Sequence, residues 1–347
     1  MPAETPAGMP GAAARSLLRC DIDLQADGHA TGFVRLPHSV HRSAYGWIPI
    51  PIARIANGPG PRVLLMAGNH GDEWEGQIVL GELIRALEPA QIRGQLVVLP
   101  SVNFPAAVAG QRTSPIDAGN LNRCFPGDPA GSVTEQIAWW IEHVLLPGFD
   151  YSVDLHAGGS SLLYLHTTLA YRSGDPQQME RVLDLVRAFG APVAMLIDAP
   201  QSGGRSFTAA SIRQGVTSIA TEIGGAGTVS PASMAAMRDG VLRVLAHVGM
   251  LREAAPAAPG NTRLTEVRGD DCYVYATEDG LFEPLVQIGT QVQRGQPAAR
   301  IHVHHTPWRA PELLHFARDG LVLCQRATTP CQRGDCLFQL AADLPPA

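Results

Sequence analysis

The spacing of apolar residues divides the chain into two parts of different character. Between residues 62 and 251, short apolar runs bounded by turn residues alternate with segments whose apolar residues recur at helical spacing. The apolar runs predict strands at 62–67, 95–99, 151–155, 193–197 and 216–221. The segments between them predict helices at 74–87, 134–146, 179–189 and 234–251. This alternation predicts an α/β fold in which helices cover both faces of the sheet.

Helical spacing stops after an Ala/Pro/Gly-rich segment, EAAPAAPGN, at residues 253–261. Short strands separated by turn residues are predicted beyond it, at 272–276, 280–286, 298–303, 320–324 and 336–340. We therefore expect a disordered N-terminus over residues 1–19, an α/β domain over 20–252, a linker over 253–261 and a β-rich module over 262–345.

The C-terminal part also repeats itself weakly. Gly280-Leu281 is echoed by Gly320-Leu321, and residues 292–295 (VQRG) are echoed by residues 331–334 (CQRG). A repeat of about forty residues with a glycine turn predicts a small two-fold β-sandwich. It resembles the barrel-sandwich shape of biotinyl and lipoyl domains. Those domains carry their group on a lysine, which this chain lacks, so the module is expected to be structural or to gate substrate entry.

Composition narrows the possible functions. The chain has 347 residues, 45% of them hydrophobic, and a formal net charge of -6, which suits a large globular protein and argues against a nucleic-acid partner. All 26 basic residues are arginine, so chemistry that depends on a lysine is excluded. The six cysteines form no Cys-x-x-Cys pair, which indicates reduced thiols and a cytoplasmic protein. The sequence shows neither a signal peptide nor an apolar stretch of about 18 residues, so no membrane association is expected.

Three polar groups stand at the ends of predicted strands, where sites form in open α/β sheets. His70 and Glu73 follow strand 62–67, His156 follows strand 151–155, and Glu222 follows strand 216–221. Each group taken alone is more simply explained as a polar loop. Together, two histidines and a glutamate are the ligand set of zinc hydrolases, which keep one position for water. Asp154 could accept the second ring N–H of His156, and Glu222 remains for proton transfer.

A long polar segment separates the first two groups. It contains Arg112-Thr113-Ser114-Pro115-Ile116-Asp117 and then the run from Asn120 to Gly127, and it is too long to be a simple connection. The guanidinium of Arg123 is a planar fork that suits a carboxylate. A structural ion pair is an equally good explanation of that arginine from the residues alone.

Two other features suggest chemistry less strongly. His302, His304 and His305 (IHVHHTP) could form a metal cluster, but they lie in the appended module. Ser160 and Ser161 follow the His156 group, but a serine nucleophile is not favoured because no Gly-x-Ser-x-Gly turn is present.

The ordered motifs resemble the succinylglutamate desuccinylase/aspartoacylase family, which belongs to the zinc carboxypeptidase clan. The resemblance covers roughly residues 45–345 and rests on four motifs, namely His70-x-x-Glu73, Asn120-Leu121-Asn122-Arg123, Asp154-Leu155-His156 and Glu222-Ile223-Gly224. It implies a zinc-carboxypeptidase-like mixed sheet and one Zn²⁺ per chain. It also implies His70, Glu73 and His156 as zinc ligands and Glu222 as the general base and acid.

The resemblance further implies that Asn122 and Arg123 bind the substrate carboxylate. Arg112 is expected to bind substrate or to stabilise the oxyanion. Two departures from aspartoacylase, Asn120 in place of aspartate and the small residues 157–159 after His156, put aspartate-type substrates in doubt. The residues of these motifs are more similar to those of a bacterial branch of the family, which includes N-acetyl-L-2,4-diaminobutyrate deacetylase.

We therefore expect zinc-dependent hydrolysis of the amide bond of a small N-acyl amino acid, with N-acetyl-L-2,4-diaminobutyrate as the specific candidate. One alternative is a zinc carboxypeptidase that acts on peptides. Another is a non-catalytic protein that binds a small molecule. Glu222 argues against this alternative, because a binding protein needs no general base. The sequence leaves the acyl group, the amino acid and the oligomeric state open, and a homo-oligomer is possible.

Overall fold

A computed structural model describes residues 16–198, 203–257 and 260–344. The first strands run in the order β1 (Arg19–Cys20), β2 (Gly28–Pro37), β3 (Trp47–Asn57), β4 (Arg62–Ala67), β5 (Gly94–Leu99), β6 (Tyr151–Leu155), β7 (Leu162–Tyr171), β8 (Val193–Ile197) and β9 (Thr217–Gly225). The later strands are β10 (Arg263–Glu266), β11 (Tyr273–Tyr275), β12 (Gly280–Pro284), β13 (Gln291–Val292), β14 (Pro297–His302), β15 (Glu312–His315), β16 (Gly320–Arg326), β17 (Pro330–Cys331) and β18 (Cys336–Asp343). The α-helices are α1 (Trp74–Ala86), α2 (Phe104–Ala109), α3 (Val133–Trp140), α4 (Pro176–Phe189), α5 (Phe207–Arg213) and α6 (Pro231–His247).

The centre of the molecule is a mixed sheet. Its strands lie in the order β1-β2-β3-β5-β4-β6-β9-β7-β8-β10-β18-β16-β13. The pairs β5–β4, β4–β6, β6–β9 and β7–β8 are parallel, whereas β3–β5 and β9–β7 are antiparallel. The predicted α/β fold with a mixed sheet is confirmed.

Helices cover both faces of this sheet. One core lies between the sheet and helices α1, α4 and α6, with Val79, Leu185 and Val241 among its buried residues. A second core lies on the opposite face, where α3 contributes Ile137 and α5 contributes Phe207. The apolar stripes of the helices therefore supply two layers of burial, which is why the central strands are apolar on both sides.

The predicted strands at 62–67, 151–155 and 193–197 are present with those bounds. The prediction that a strand ends at residue 221 is wrong, because β9 continues to Gly225 and Glu222 pairs with Thr167 of β7. The sequence indicates only an apolar run at 48–55 where the long hairpin of β2 and β3 forms, and it does not predict β7. These strands depend on neighbours that are distant in the sequence, and local spacing does not reveal them.

The C-terminal strands do not stand apart from the central sheet. β10 pairs in parallel with β8, and β16 pairs with the first residues of β7. β12, β14, β15 and β17 form a separate four-stranded sheet. Side chains from both groups of strands, including Phe282 and Phe338, share one core.

The weak repeat is visible in how the strands pair. Each copy contains a long antiparallel pair, β12–β14 in the first and β16–β18 in the second. The short strand of each copy pairs with the other copy: Gly280 lies opposite Cys331, and Gly320 lies opposite Val292. The residues that repeat in the sequence therefore occupy matching positions in the two copies.

Some predictions fall at or beyond the edges of the described chain. Residues 1–15 of the predicted disordered N-terminus and residues 258–259 of the predicted linker lie outside the described residues. Residues 16–19 are ordered, contrary to the prediction, because Leu18 is buried in a core and Arg19 begins β1. No helix in the described part of the chain combines the length and the apolar composition that a membrane crossing requires.

Candidate active site

Two neighbouring strands bring together the three residues expected to bind metal. His70 and Glu73 lie in the turn between β4 and α1, and His156 follows β6 directly. Because β4 and β6 are parallel neighbours, their carboxyl ends meet at one edge of the sheet. The ligand atoms of the three side chains all lie within 4.8 Å of one another, and all three residues are buried. These residues could hold one metal ion.

The turn that carries His70 and Glu73 requires a glycine between them. The Gly71 backbone N–H donates to the Gln111 carbonyl oxygen at 2.9 Å. A Cβ atom at Gly71 would lie 2.0 Å from the backbone of Ala106 in α2. Only a residue without a side chain permits this approach, so the turn is held against α2 and the loop that follows it.

The contacts of the three side chains suit a metal ion. The two oxygens of Glu73 face His70 Nδ1 and His156 Nδ1, each at 2.7 Å. The opposite ring nitrogens are held by acceptors: His70 Nε2 is 3.1 Å from Asn120 Oδ1, and His156 Nε2 is 2.8 Å from Asp154 Oδ2. This arrangement places an N–H at each Nε2 and leaves each Nδ1 available to a metal, as the second ring nitrogen of a metal-bound histidine requires.

The charges at these residues also favour a cation. Burial opposes ionisation of Glu73, but His70 and His156 hold its pKa well below the ordinary value. Burial also opposes the charge on His156, but Asp154 and Glu73 raise the pKa of its imidazole well above the ordinary value. The site thus attracts positive charge, and a metal ion would compete with a proton for His156.

Glu222 lies in β9, the next strand beyond β6 in the sheet. Burial and the nearby Glu73 carboxylate raise the pKa of Glu222 well above that of an ordinary glutamate. One of its carboxylate oxygens, Oε2, is buried and has no hydrogen-bond partner among the described residues. A carboxyl group with a raised pKa binds a proton more readily than an ordinary glutamate and can act as both general base and general acid.

Asn122 and Arg123 lie on a short 3-10 turn at residues 121–123. Asn122 Oδ1 accepts the backbone N–H of Phe207 at 2.9 Å, and its Nδ2 lies 3.5 Å from His156 Nε2. The Arg123 guanidinium is bonded to the Asn122 carbonyl oxygen at 2.7 Å. In the described part of the chain, Arg123 is not among the arginines that form ion pairs. The alternative explanation from the sequence, a structural ion pair, therefore has no support in the described residues.

Positive charge accumulates around Arg123. Burial and the nearby Arg112 and Arg205 lower the pKa of its guanidinium. Arg112 approaches the candidate metal-binding residues, with its Nη1 3.3 Å from His70 Nδ1 and 3.6 Å from Glu73 Oε1. A negatively charged ligand would relieve the repulsion among these arginines.

Several residues of the site are absent from the predicted set. Asn69 donates to Asp154 Oδ2 at 3.1 Å and so holds the carboxylate that orients His156. Asn120, noted in the sequence only as a departure from aspartoacylase, holds His70. Asn120 lies inside a quoted motif and Asn69 directly precedes one, but the sequence does not reveal their partners. Arg205 stands outside every motif, and nothing in the sequence marks it.

The less favoured candidates are not part of this site. Ser160 donates to Asp72 Oδ2 at 2.7 Å and ties the loop after His156 to the turn after β4. His302 pairs with Glu283 at 2.8 Å on the surface of the C-terminal region. In the described residues the three histidines near position 303 form no metal-binding group.

Comparison with known proteins places this geometry in context. The family described as the succinylglutamate desuccinylase/aspartoacylase catalytic domain matches residues 59–248. The N-alpha-acetyl-L-2,4-diaminobutyric acid deacetylase of Halomonas elongata is 38% identical over 333 residues, which is 96% of this chain and 97% of that protein.

Two solved structures are similar over nearly their whole length. The succinylglutamate desuccinylase/aspartoacylase from Rhodobacter sphaeroides has 38% sequence identity and a TM-score of 0.89, covering 95% of this chain and 100% of that one. The product-bound ectoine utilization protein EutE (DoeB) from Ruegeria pomeroyi has 35% identity and a TM-score of 0.90, covering 94% of this chain and 99% of that one.

Proposed function

The chain belongs to the succinylglutamate desuccinylase/aspartoacylase family, and from this premise we propose that its substrate is N-α-acetyl-L-2,4-diaminobutyrate. Its reaction is the hydrolysis of the amide bond of a small N-acyl amino acid, which releases a carboxylate and an amine. The proposed specific products are acetate and the free diamino acid. The deacetylase from Halomonas elongata, which is similar over nearly the full length of both chains, supports this substrate.

The observation that carries the proposal is the buried group of His70, Glu73 and His156 beside Glu222. We propose the first three as ligands of one Zn²⁺ and Glu222 as the general base and acid. Two imidazoles and one carboxylate are the donor set of catalytic zinc, which keeps its fourth position open. When bound there, zinc would polarise the acyl carbonyl and lower the pKa of water.

The remaining steps belong to the chain itself. Glu222 accepts a proton from the attacking water at its carboxylate and later donates a proton to the leaving nitrogen. The raised pKa of Glu222 supports both transfers, because such a carboxyl group accepts a proton more readily than an ordinary glutamate and can still return it. Arg112 lies beside the ligand atoms and could donate hydrogen bonds to the oxyanion of the tetrahedral intermediate.

Substrate orientation is assigned to the turn at residues 121–123. Arg123 would bind the carboxylate through paired, charge-assisted hydrogen bonds. The Nδ2 of Asn122, which lies 3.5 Å from His156 Nε2, would donate a further hydrogen bond, since its Oδ1 is already engaged by the Phe207 backbone. Together these two residues would direct the acyl group toward the metal ligands.

Three features stay predictions. They are the linker at residues 253–261, the barrel-sandwich form of the C-terminal module, and a cytoplasmic location. We propose that this module gates substrate entry, because its strand β16 pairs with β7, which in turn pairs with the strand that carries Glu222.

A release assay over a panel of N-acetyl, N-succinyl and N-formyl amino acids, combined with zinc analysis, tests the proposal. We expect near-stoichiometric zinc and the fastest release from N-α-acetyl-L-2,4-diaminobutyrate. Preference for another acyl-amino acid would overturn the substrate while leaving the reaction class intact. Cleavage of C-terminal residues from peptides, without release from the panel, would support the carboxypeptidase alternative.

A further inference from the structure

A second buried glutamate lies beside the site and has no role in the chemistry proposed above. Glu75 lies in the first turn of α1, two residues after Glu73, and is only 1% exposed. Its Oε1 accepts a hydrogen bond from the backbone N–H of Gly225 at 3.3 Å. The two residues are 150 positions apart, so this contact joins α1 to the end of β9.

The end of β9 is shaped to receive this carboxyl group. Gly224 has a φ of +82°, and a Cβ atom there would lie 2.1 Å from Glu75 Oε1 and 3.0 Å from Ser233 Cβ. Gly225 has a φ of +124°, and its Cβ would lie 2.2 Å from the Leu162 carbonyl oxygen. The backbone here is enclosed by three elements, and both positions require glycine for their conformation and for space.

Glu222 lies two residues before this pair of glycines in the same strand. A displacement of the backbone at Gly224 or Gly225 would therefore also displace Glu222. Acid–base groups act only within hydrogen-bond reach of the proton they transfer. A misplacement of about 1 Å can reduce a rate roughly 100-fold.

We propose that Glu75 is a positioning residue that holds Glu222 in place through the Gly224–Gly225 backbone. The start of α1 would then position two parts of the site at once, since Glu73 is the residue that precedes the helix and Glu75 lies in its first turn. This inference rests on the proposed role of Glu222 as general base. It goes beyond that role by naming the contact that fixes the position of the base.

The test compares Glu75→Ala with Glu75→Gln. Glutamine keeps the side-chain length and an oxygen that can accept from Gly225, whereas alanine removes the contact. We expect Glu75→Ala to lower kcat at least tenfold, with KM and zinc content close to wild type, and Glu75→Gln to recover most of the rate. Glu82→Ala, a surface position on the same helix paired with Arg238, is the matched control and should leave kcat unchanged.

Hydrogen–deuterium exchange of residues 217–227 gives a readout that does not depend on activity. In zinc-free protein, exchange of this segment should rise in Glu75→Ala and stay at the wild-type level in Glu75→Gln. If the wild type were inactive but showed this exchange pattern, the proposed reaction would be rejected, whereas the contact between Glu75 and Gly225 would still be supported. Unchanged exchange and unchanged kcat in Glu75→Ala would overturn the inference, and so would loss of zinc from that variant, because the role would then be in metal binding.

Discussion

At the scale of single residues, the site separates two carboxyl groups by their surroundings. Glu73 lies between two imidazoles, which keep it ionised, whereas Glu222, whose Oε2 is buried, lies near that negative charge and holds its proton more tightly. Two carboxyl groups with opposite pKa shifts can serve as ligand and as proton carrier.

Replacement of Glu222 by glutamine tests this division. Glutamine keeps the size and polarity of the side chain but cannot take up a proton. We expect kcat to fall by about 10²–10⁴-fold, which is the usual contribution of general acid–base catalysis. Zinc content by elemental analysis and substrate binding by calorimetry should change little. Loss of zinc would make Glu222 a ligand instead.

Arg123→Lys tests how the substrate carboxylate is recognised. Lysine keeps the charge but cannot form two parallel hydrogen bonds to one carboxylate. The loss of a charge-assisted bond predicts a fall in kcat/KM of roughly ten- to one-hundredfold on an acyl-amino acid. The carboxamide analogue of the same substrate should be affected much less. An equal loss on both compounds would show that Arg123 does not bind that carboxylate.

Asn120→Ala tests the residue that holds His70. Removing a group that orients a metal-bound histidine typically lowers metal affinity about 10–100-fold. Asn120→Asp keeps an acceptor for His70 Nε2 and should retain most of the affinity. Zinc dissociation constants from chelator competition check both variants, with the exposed Asn261→Ala as control. If Asn120→Ala bound zinc with wild-type affinity, Asn120 would have no role in metal binding.

At the scale of elements, the segment that carries Arg112, Asn120 and Arg123 depends on one aspartate. Asp117 accepts the backbone N–H of Thr134 at 2.7 Å and its hydroxyl at 2.8 Å, in the first turn of α3. Burial opposes the charge on Asp117, but hydrogen bonds from Thr134, Ser114 and Gly119 hold its pKa below the ordinary value. The segment is thereby attached to the start of a helix rather than left as a free loop.

Asp117→Ala should destabilise the protein by about 1–2 kcal/mol at neutral pH, as loss of a helix-capping hydrogen bond does. Because the folded pKa is lowered, this stability is present above the unfolded value of about 3.9 and is lost as the pH falls through the folded pKa. The difference in Tm between wild type and variant should therefore be largest near pH 7 and shrink below pH 4. Asp184→Ala, which removes a surface pair with Arg187, is the control. A difference in Tm that stays constant with pH would show that the charge of Asp117 is not involved.

At the scale of the whole molecule, the C-terminal region reaches the site through β16. Cys324 lies opposite Tyr164 of β7, and burial together with the nearby Cys336 raises the pKa of its thiol well above the ordinary value. Burial and the charge of Glu222 are among the causes that raise the pKa of Tyr164 well above the ordinary value, so its hydroxyl stays neutral. The C-terminal region thus contacts a side chain that is electrostatically close to Glu222.

Cys324→Val should reveal whether this contact matters for substrate selection. Loss of a polar contact comparable to a hydrogen bond, worth about 0.5–1.5 kcal/mol, predicts a change in KM of roughly two- to tenfold that differs among substrates of the panel. Zinc content should be preserved. Cys331→Val, a buried cysteine in the core of the C-terminal region, is the matched control. Equal behaviour of the two variants would reject the gating role of this contact.

Local apolar spacing was enough to predict the alternation of strands and helices, and the residue types at the strand ends were enough to suggest metal ligands. Apolar spacing is local, and parallel strands place their carboxyl ends at one edge, so the assembly of His70, Glu73 and His156 could be predicted. The sequence also determined the family, because the motifs lie in a fixed order along the chain.

The tertiary structure decided the contacts that complete the site. His70 meets Asn120 across 50 residues, and Glu75 meets Gly225 across 150. The pairing of β16 with β7 joins the C-terminal region to the central sheet, although the break in periodicity at 253–261 suggested a separate unit. A hydrogen bond between distant residues depends on the packing of whole elements, and neither residue type nor local spacing carries that information.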